Sequence, residues 1–225
     1  MKVELLKSPF FIFKQLQLRK FKRFSSYLYG DVLDIGCGDM PFKNMINCRS
    51  YRGLDFRHLP GVDLVGDSHC LPFKEESFDS LIMTEVMEHI FSPLRALEEV
   101  KRVLRPGGYA YITVPMTWGL HYEPNDFWRF TKYSLQRLVQ LSGMEIIYLE
   151  RIGGIFSQIG ARFVDVLFEV IKRNATFLSL KNRERLATIV TLPFSISFYC
   201  LGLLLDRIDE RDALGWVLVV RKRSI

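Results

Sequence analysis

The stretch VLDIGCGDM, residues 32–40, decides which fold this chain adopts. Its first four residues are mostly apolar, as expected of a buried strand, and Gly36 and Gly38 follow where that strand ends. Glycines at such a place let the backbone turn sharply and approach a ligand closely. The stretch therefore predicts a strand that leads into a ligand-binding loop.

Segments with strand and helix patterns alternate along the rest of the chain. Helices are predicted at 41–48, 92–104 and 131–141, and further strands at 51–56, 62–66, 78–85, 109–115, 144–150 and 215–222. This alternation predicts an α/β fold whose parallel sheet is covered by helices on both faces. Because ligands bind beyond the carboxyl ends of such strands, we expect the residues at those ends to form one rim.

Two regions depart from this alternation and divide the chain. Residues 1–30 form a basic, amphipathic arm whose seven basic residues and single acidic residue account for the net charge of +6. Residues 152–213 form a helical, hydrophobic insertion between two predicted strands. The sequence therefore predicts a core made of 31–151 and 214–225, with the arm before it and the insertion inside it.

The insertion is predicted to contain two helices. One, near 155–173, is amphipathic, and the other, 186–205, has twenty residues without a charge. That length could span a bilayer, but a single crossing would put the last strand on the far side from its sheet. A cap on the domain and a hairpin in the membrane interface both fit the pattern, and the arm likewise suits either packing or an anionic membrane surface.

Composition and cysteine usage limit the class of protein. The chain has 225 residues, 48% hydrophobic and 25% charged, as in ordinary globular proteins. Its four cysteines form no CxxC pair, which argues against a zinc site or a disulfide framework and favours a reducing compartment. The N-terminus is a poor signal peptide. We expect a cytoplasmic protein, peripheral at the inner face of the membrane if the arm or 186–205 contacts lipid.

The residues around the glycines select the type of ligand. A nicotinamide-binding fingerprint needs a third glycine, which is missing here, and Asp39 stands where a pyrophosphate would approach. Asp34 adds a second carboxylate to the same stretch. These acids disfavour a phosphorylated dinucleotide and favour a ligand with positive charge, such as S-adenosylmethionine.

The motifs resemble those of class I S-adenosylmethionine-dependent methyltransferases, in particular the type 11 methyltransferase domain. VLDIGCGDM resembles the first motif, YRGLDFR the second, and VGDSHCLPFKEESFD the adenine-side segment, followed in order by FDSLIMTEVMEHI and LEEVKRVLRPGGYAYITVP. The resemblance covers about 31–150 and implies a seven-stranded, Rossmann-like doubly wound sheet, mostly parallel with an antiparallel last strand. It also implies S-adenosyl-L-methionine as cofactor, bound by Asp34, Gly36, Cys37, Gly38, Asp55, Phe56, Asp67, Ser68, Thr84 and Glu85. Within that set, Asp55 is expected to accept from the ribose hydroxyls and Asp67 from the adenine.

The catalytic group is expected in the segment 121–131, HYEPNDFWRFT, which follows the fifth strand. His121 is the predicted general base, Asp126 is predicted to orient it or the substrate, and Arg129 is a candidate clamp for an anionic group. Glu85, Glu88 and His89 resemble a metal-binding cluster of ubiquinone-pathway O-methyltransferases, and the sequence leaves open whether a metal takes part.

The acceptor is expected to be a small molecule, a glycan or a lipid-linked compound. The segment TEVM (84–87) lacks the motif of nucleobase amine methyltransferases, so O-methylation is expected. A nucleic-acid partner is unlikely in this interpretation because the basic charge belongs to the arm and not to a broad face. The alternative is a methyltransferase-like adaptor that binds the cofactor without turnover. The sequence leaves the oligomeric state open.

Overall fold

A seven-stranded sheet forms the centre of the protein. The computed structural model describes residues 10–224, so predictions that fall on residues 1–9 lie outside it. The strands are β1 (Asp31–Ile35), β2 (Ser50–Asp55), β3 (Leu64–Val65), β4 (Phe78–Thr84), β5 (Leu104–Pro115), β6 (Glu145–Ile152) and β7 (Gly215–Arg221).

The strand order brings the ends of β1, β2 and β4 together. The order is β3-β2-β1-β4-β5-β7-β6, and β1 pairs in parallel with both β2 and β4, so that Asp34 lies opposite Gly53 and Ile82. The closing strand β7 runs antiparallel to β5, with Tyr109 opposite Arg221. This topology confirms the predicted mostly parallel, doubly wound sheet with an antiparallel last strand, preceded by a helical insertion.

The part of the chain that the structure describes contains five α-helices. They are α1 (Phe11–Phe24), α2 (Pro93–Val103), α3 (Lys132–Ser142), α4 (Ile155–Asn174) and α5 (Leu180–Leu205). A capping box of Thr131 and Ser134 starts α3, and Gly143, with a φ of 73°, ends it. The sequence signals for the start and end of α3 are therefore the ones that the structure uses.

Two predicted helices differ from what forms. The expected helix at 41–48 is only a single 3₁₀ turn at Lys43–Met45, because Phe42 is the one fully buried side chain of that segment and no continuous apolar face holds a helix. The expected helix at 186–205 begins earlier, at Leu180, and includes charged residues in its first two turns.

The chain divides into two compact units. One contains Phe21–Glu150 and Gly215 onward, and the other contains the described residues up to Lys20 together with Arg151–Leu214. The division falls within α1. In the sheet-containing unit, the Phe21 ring stacks on Phe42 at 4.1 Å and meets Tyr111 edge-on at 5.3 Å, so the end of α1 belongs to the core of that unit.

The second unit is built mainly of α4 and α5. Asp206 fixes the start of α4, because its carboxylate accepts from the backbone N–H groups of Gly154, Phe156 and Ser157 at 2.8–3.1 Å. Within the described residues, α5 is the one helix that is long and apolar enough to cross a membrane, and an 18-residue stretch of it has a mean hydropathy of 1.9.

Candidate active site

The loop after β1 is shaped by its two glycines. Gly36 and Gly38 have φ values of 66° and 50°, in the left-handed region that favours glycine. The N–H of Gly36 donates to the carbonyl of Leu54 at 2.7 Å, which ties the loop to β2. A side chain on Gly36 would meet Val86 at 2.3 Å, whereas the space beside Gly38 is open for 4 Å. The open space at Gly38 fits a ligand that approaches the backbone.

Asp55 holds the end of β2 against this loop. Its Oδ2 accepts from the N–H of Gly38 at 3.1 Å and its Oδ1 from the N–H of Arg57 at 2.9 Å. Burial alone would raise the pKa of Asp55, but hydrogen bonds from Arg57 and Gly38 outweigh it and hold that pKa below its usual value. Asp55 is therefore an ionised acceptor beside the open glycine, as binding of two ribose hydroxyls requires.

Arg57 covers Asp55, a role that the sequence analysis did not predict. Its guanidinium pairs with Asp55 at 3.1 Å and lies over the rings of Phe56 and Tyr122, 5.3 and 5.6 Å from their centroids. A sequence search could have found it as the first basic residue after a strand-end acid. A ribose that uses both oxygens of Asp55 would compete with this guanidinium.

Asp34 lies inside the sheet and not at the rim. Its side chain is buried in β1 and accepts a hydrogen bond from the hydroxyl of Tyr51. Burial raises the pKa of Asp34 to about 7, so this residue carries only part of a negative charge at neutral pH. Asp39, in contrast, is exposed. The electrostatic preference for a cationic ligand therefore comes chiefly from Asp55 and Asp39.

The other residues predicted to bind the cofactor line up along the same edge. Phe56 is exposed just after β2, and Asp67 is exposed after β3, where its Oδ1 accepts from the N–H and the ring of His69 at 2.8 and 2.7 Å. Ser68 and Thr84 are half-buried. Burial raises the pKa of the Cys37 thiol to about 12, which excludes that side chain as a nucleophile at neutral pH.

Three residues other than glycine have left-handed backbone at this edge. Met40, Glu85 and Tyr122 have φ values of 52°, 53° and 54° and follow β1, β4 and β5 respectively, while Glu76 is the fourth such residue among those described. Strain of this kind costs about 1–3 kcal/mol per residue and gathers where function requires a fixed geometry. Its concentration at the carboxyl ends of the strands supports this edge as the site.

Two acids follow β4. Burial raises the pKa of Glu85 to about 7, and the Thr113 side chain lowers it in part through a hydrogen bond. Glu88 is fully buried, and within residues 10–224 neither of its carboxylate oxygens has a hydrogen-bond partner. Burial, and then the neighbouring Glu85, raise the pKa of Glu88 well above its usual value. A buried carboxylate without a partner is costly unless it is protonated or binds a ligand.

Loop 116–130 is held to the segment after β4. The N–H groups of Phe127 and Trp128 donate to the carbonyl of Glu88, and the Trp128 indole donates to the carbonyl of Ile90. Inside the loop, Asp126 accepts from both terminal nitrogens of Arg129 at 2.7 and 2.8 Å, and this guanidinium lowers the pKa of Asp126 to about 2. Arg129 is thus engaged by Asp126 and not presented to a substrate anion.

His121 and His89 lie side by side. Their ring centroids are 4.7 Å apart in an edge-to-face arrangement, and the Tyr122 ring lies next to both. Nδ1 of His121 lies 3.0 Å from the carbonyl of Gly119, and Nδ1 of His89 lies 2.6 Å from that of Asn125. A carbonyl oxygen only accepts a hydrogen bond, so each Nδ1 carries the hydrogen, and in the neutral imidazole each Nε2 presents a lone pair. Asp126 positions His121 by accepting its backbone N–H at 3.0 Å.

The two imidazoles and Glu88 also form a potential set of metal ligands. One ligand atom from each of Glu88, His89 and His121 lies within 4.8 Å of the others. Nitrogen and carboxylate ligands of this kind suit divalent cations. The set includes His121, which lies beyond β5 in the chain, and does not include Glu85. The spacing of Glu85, Glu88 and His89 in the sequence therefore did not predict this set of ligands.

Comparison with known proteins agrees with this geometry. Residues 33–112 match the family model described as a methyltransferase domain. Residues 33–112 are a methyltransferase domain. The match confirms the resemblance to class I S-adenosylmethionine-dependent methyltransferases of type 11, and with it S-adenosylmethionine as the cofactor of this domain.

A mycobacterial relative matches part of the chain. The phthiotriol/phenolphthiotriol dimycocerosates methyltransferase of Mycobacterium tuberculosis is 41% identical over 95 residues, which are 35% of this chain and 35% of that protein. The chain thus matches about a third of the length of such relatives. The likeness concerns the methyltransferase domain and not the whole of either protein.

Solved structures share the fold. The [4+2]-cyclase SpnF aligns with a TM-score of 0.60 at 19% identity, over 93% of this chain and 82% of that one. Phosphoethanolamine N-methyltransferase 2 of Haemonchus contortus, in complex with S-adenosyl-L-methionine, aligns with a TM-score of 0.55 at 19% identity, over 94% and 53%. At this identity the alignments establish the fold of the chain and leave its activity to the site.

Alanine at the two glycines of the loop should have different effects. Gly36→Ala places a methyl group against Val86 and should lower the melting temperature sharply, because both the contact and the φ of 66° are unfavourable. Gly38→Ala should cost only about 1 kcal/mol of stability from its positive φ but should weaken S-adenosylmethionine binding, since its methyl group enters the open space. Thermal melts and isothermal titration measure the two effects.

Gly107→Ala is the control for this pair. Gly107 also has a positive φ, of 78°, but lies near the start of β5, at the opposite edge of the sheet. This variant should lose a similar amount of stability to Gly38→Ala and bind the cofactor normally. Normal binding by Gly38→Ala would mean that the cofactor does not approach this glycine.

Asp34 should make the stability of the protein depend on pH. Its pKa is about 7 when folded and about 3.9 in an unfolded chain, so the native state holds the proton more tightly. The contribution is fully present below about pH 4 and is lost as pH rises through about 7. Denaturant unfolding at three pH values across this range should show Asp34→Asn gaining stability relative to the native protein as pH increases. Parallel curves for the two proteins would contradict the raised pKa.

Proposed function

We propose that the protein transfers the methyl group of S-adenosylmethionine to a hydroxyl group of a lipid or lipid-linked acceptor. The observation that carries the proposal is the junction between loop 116–130 and the segment after β4. There, two imidazoles with available Nε2 lone pairs lie at the same edge of the sheet as Asp55 and Gly38.

Asp55 and Gly38 are the proposed anchors of the cofactor. Asp55 is ionised and has two acceptor oxygens, as the two ribose hydroxyls require, and Gly38, which donates to Oδ2 of Asp55, leaves room for the cofactor beside the backbone. A cofactor with a sulfonium and an ammonium group is favoured by the ionised Asp55 and the exposed Asp39. A phosphorylated dinucleotide would be disfavoured by Asp39, which stands where its pyrophosphate would approach.

His121 is the proposed general base. The cofactor supplies a methyl group on a positively charged sulfur. The C–S bond breaks as the acceptor oxygen forms its C–O bond, and the hydroxyl proton must leave that oxygen. In this proposal Nε2 of His121 takes the proton; two contacts support it, since Nδ1 of His121 lies against the Gly119 carbonyl and its backbone N–H donates to Asp126. The rest of the task for the protein is to hold the oxygen in line with the methyl group.

Two observations support a lipid acceptor. The mycobacterial relatives are named for methylation of phthiotriol and phenolphthiotriol dimycocerosates, although they match this chain over only about a third of its length. Independently, the insertion before β7 carries a helix in which an 18-residue stretch has a mean hydropathy of 1.9.

Asp55→Asn should weaken cofactor binding more than it weakens the fold. Loss of hydrogen bonds to a charged group, worth about 1.5–3 kcal/mol, should raise the Kd for S-adenosylmethionine by about tenfold or more. Asp79→Asn is the matched control, because Asp79 is also ion-paired, with Arg105 at 2.8 Å, but lies at the start of β4. It should lose stability and keep its affinity. Equal affinity in both variants would exclude Asp55 as an anchor.

His121→Gln should lower turnover by about a hundredfold or more while the Kd for the cofactor stays the same, because a general base acts only on the acceptor. The assay follows transfer of a radiolabelled methyl group to long-chain alcohols and polyprenyl alcohols, with free sugars as the water-soluble arm. His58→Gln, at an exposed histidine outside the loop, should behave as the native protein.

Three results of this assay would revise the proposal. Loss of turnover in His89→Gln but not in His121→Gln would move the base to His89. Loss of turnover on chelation with EDTA would assign Nε2 of His121 to a metal ion. Cofactor binding without transfer to any acceptor in the panel would favour the adaptor.

A further inference from the structure

The helical hairpin formed by α4 and α5 is a rigid element at its base. Residues 175–179 connect the two helices, and Asp206, directly after α5, accepts from three N–H groups at the start of α4. The hydroxyl of Ser157 donates to the same carboxylate at 2.5 Å. The start of α4 and the end of α5 are therefore bonded to each other, so the chain enters and leaves the hairpin at the same end.

Small residues fill the interface between the two helices. On α5 the buried positions are Ala187, Thr191, Ser195 and Gly202, which recur along one narrow face. On α4, Gly160 approaches so closely that a methyl group there would lie 2.3 Å from Cβ of Phe198. The hydroxyls of Thr191 and Ser195 donate to carbonyls one turn earlier, at 2.8 and 3.0 Å, so no polar group of this face needs water.

Large apolar side chains point outward instead. Ile189 and Leu204 of α5 are 69% and 74% exposed, and Ile159 and Val166 of α4 are 51% and 62% exposed. A helix pair in water normally buries its large apolar residues and exposes its small and polar ones. Helix α5 has the opposite arrangement, which is the one found where small residues pack helices together and large ones face lipid, whereas α4 keeps Val164 and Phe168 buried.

Basic residues gather at the connecting end of the hairpin. The end of α4 carries Lys172 and Arg173, and the start of α5 carries Lys181, Arg183 and Arg185. Among them, Phe177 is 82% exposed. Positive side chains around an exposed aromatic ring match the negative headgroups and acyl boundary of an anionic bilayer.

We propose that the α4–α5 hairpin docks the protein on an anionic membrane, with its apolar faces in the boundary between headgroups and acyl chains. Exposed apolar residues surround most of α5, whereas a second copy of the chain would cover only one face. A full crossing is disfavoured because α4 carries the Arg162–Asp165 pair and both ends of the hairpin return to one side. The proposal does not depend on the methyl acceptor.

Vesicle sedimentation of the full chain tests the docking. The native protein should sediment with vesicles of phosphatidylcholine and about 30% phosphatidylglycerol and much less with phosphatidylcholine alone. The double variant Ile189→Asp/Leu204→Asp should lower the bound fraction at least about tenfold, because it places charges in the apolar boundary. Leu141→Asp, at a 51% exposed leucine of α3, is the matched control and should bind as the native protein does.

A charge variant separates the basic end from the apolar faces. Lys181→Glu/Arg185→Glu should remove the preference for anionic vesicles, and high salt should do the same to the native protein. Both variants should bind S-adenosylmethionine normally without vesicles, so failure of the docking proposal stays distinct from failure of the proposed function.

Two outcomes would overturn the proposal. One is that the native protein does not sediment with anionic vesicles, or that Leu141→Asp impairs binding as much as the double variant does. The other is that the native protein self-associates without binding vesicles and Ile189→Asp/Leu204→Asp makes it monomeric. In that case a second copy, and not lipid, would cover these faces.

Discussion

The hydrogen bond from the Gly38 N–H to the Asp55 carboxylate is the interaction on which the site depends. It joins the loop after β1 to the end of β2, and the N–H of Gly36 completes the connection by donating to Leu54. Because Asp55 is almost fully buried and still ionised, its charge has to be met by groups that point into the loop. The N–H of Gly38 and the guanidinium of Arg57 stabilise this charge, and these contacts fix the conformation of the loop at the edge of the sheet.

In loop 116–130, too, a carboxylate is stabilised by a neighbouring arginine. Asp126 is buried in loop 116–130 and is neutralised by Arg129, which in turn donates to the carbonyl of Gly119. That pair orders the loop so that His121 and His89 meet. Glu88 is the exception, since neither oxygen of its buried carboxylate has a hydrogen-bond partner among the described residues. A proton or a metal ion bound next to Glu88 would therefore stabilise the site more than one bound next to the other carboxylates.

Local pattern predicted the fold well and the partners of the site residues poorly. The spacing of apolar residues, and the glycines and prolines between segments, located the seven strands. Because most of these strands are parallel, Gly36, Asp55 and Glu85 necessarily come to one edge of the sheet. The same reasoning treated Asp34 and Arg129 as charges facing a ligand, whereas Asp34 points into the sheet beside Tyr51 and Arg129 pairs with Asp126. Which side chains meet across the fold depends on contacts between distant residues, and a one-dimensional pattern of residue types does not contain that information.

The position of β7 has a consequence for how the sheet is completed. This strand lies between β5 and β6 although the whole hairpin precedes it in the chain. During synthesis on the ribosome, β5 and β6 must wait with unpaired edges until α4 and α5 have been made and the chain has returned. Those two edges are the places where a nascent chain would be most open to chaperones and to mispairing, and the seven strands become one sheet only when this late strand enters the gap.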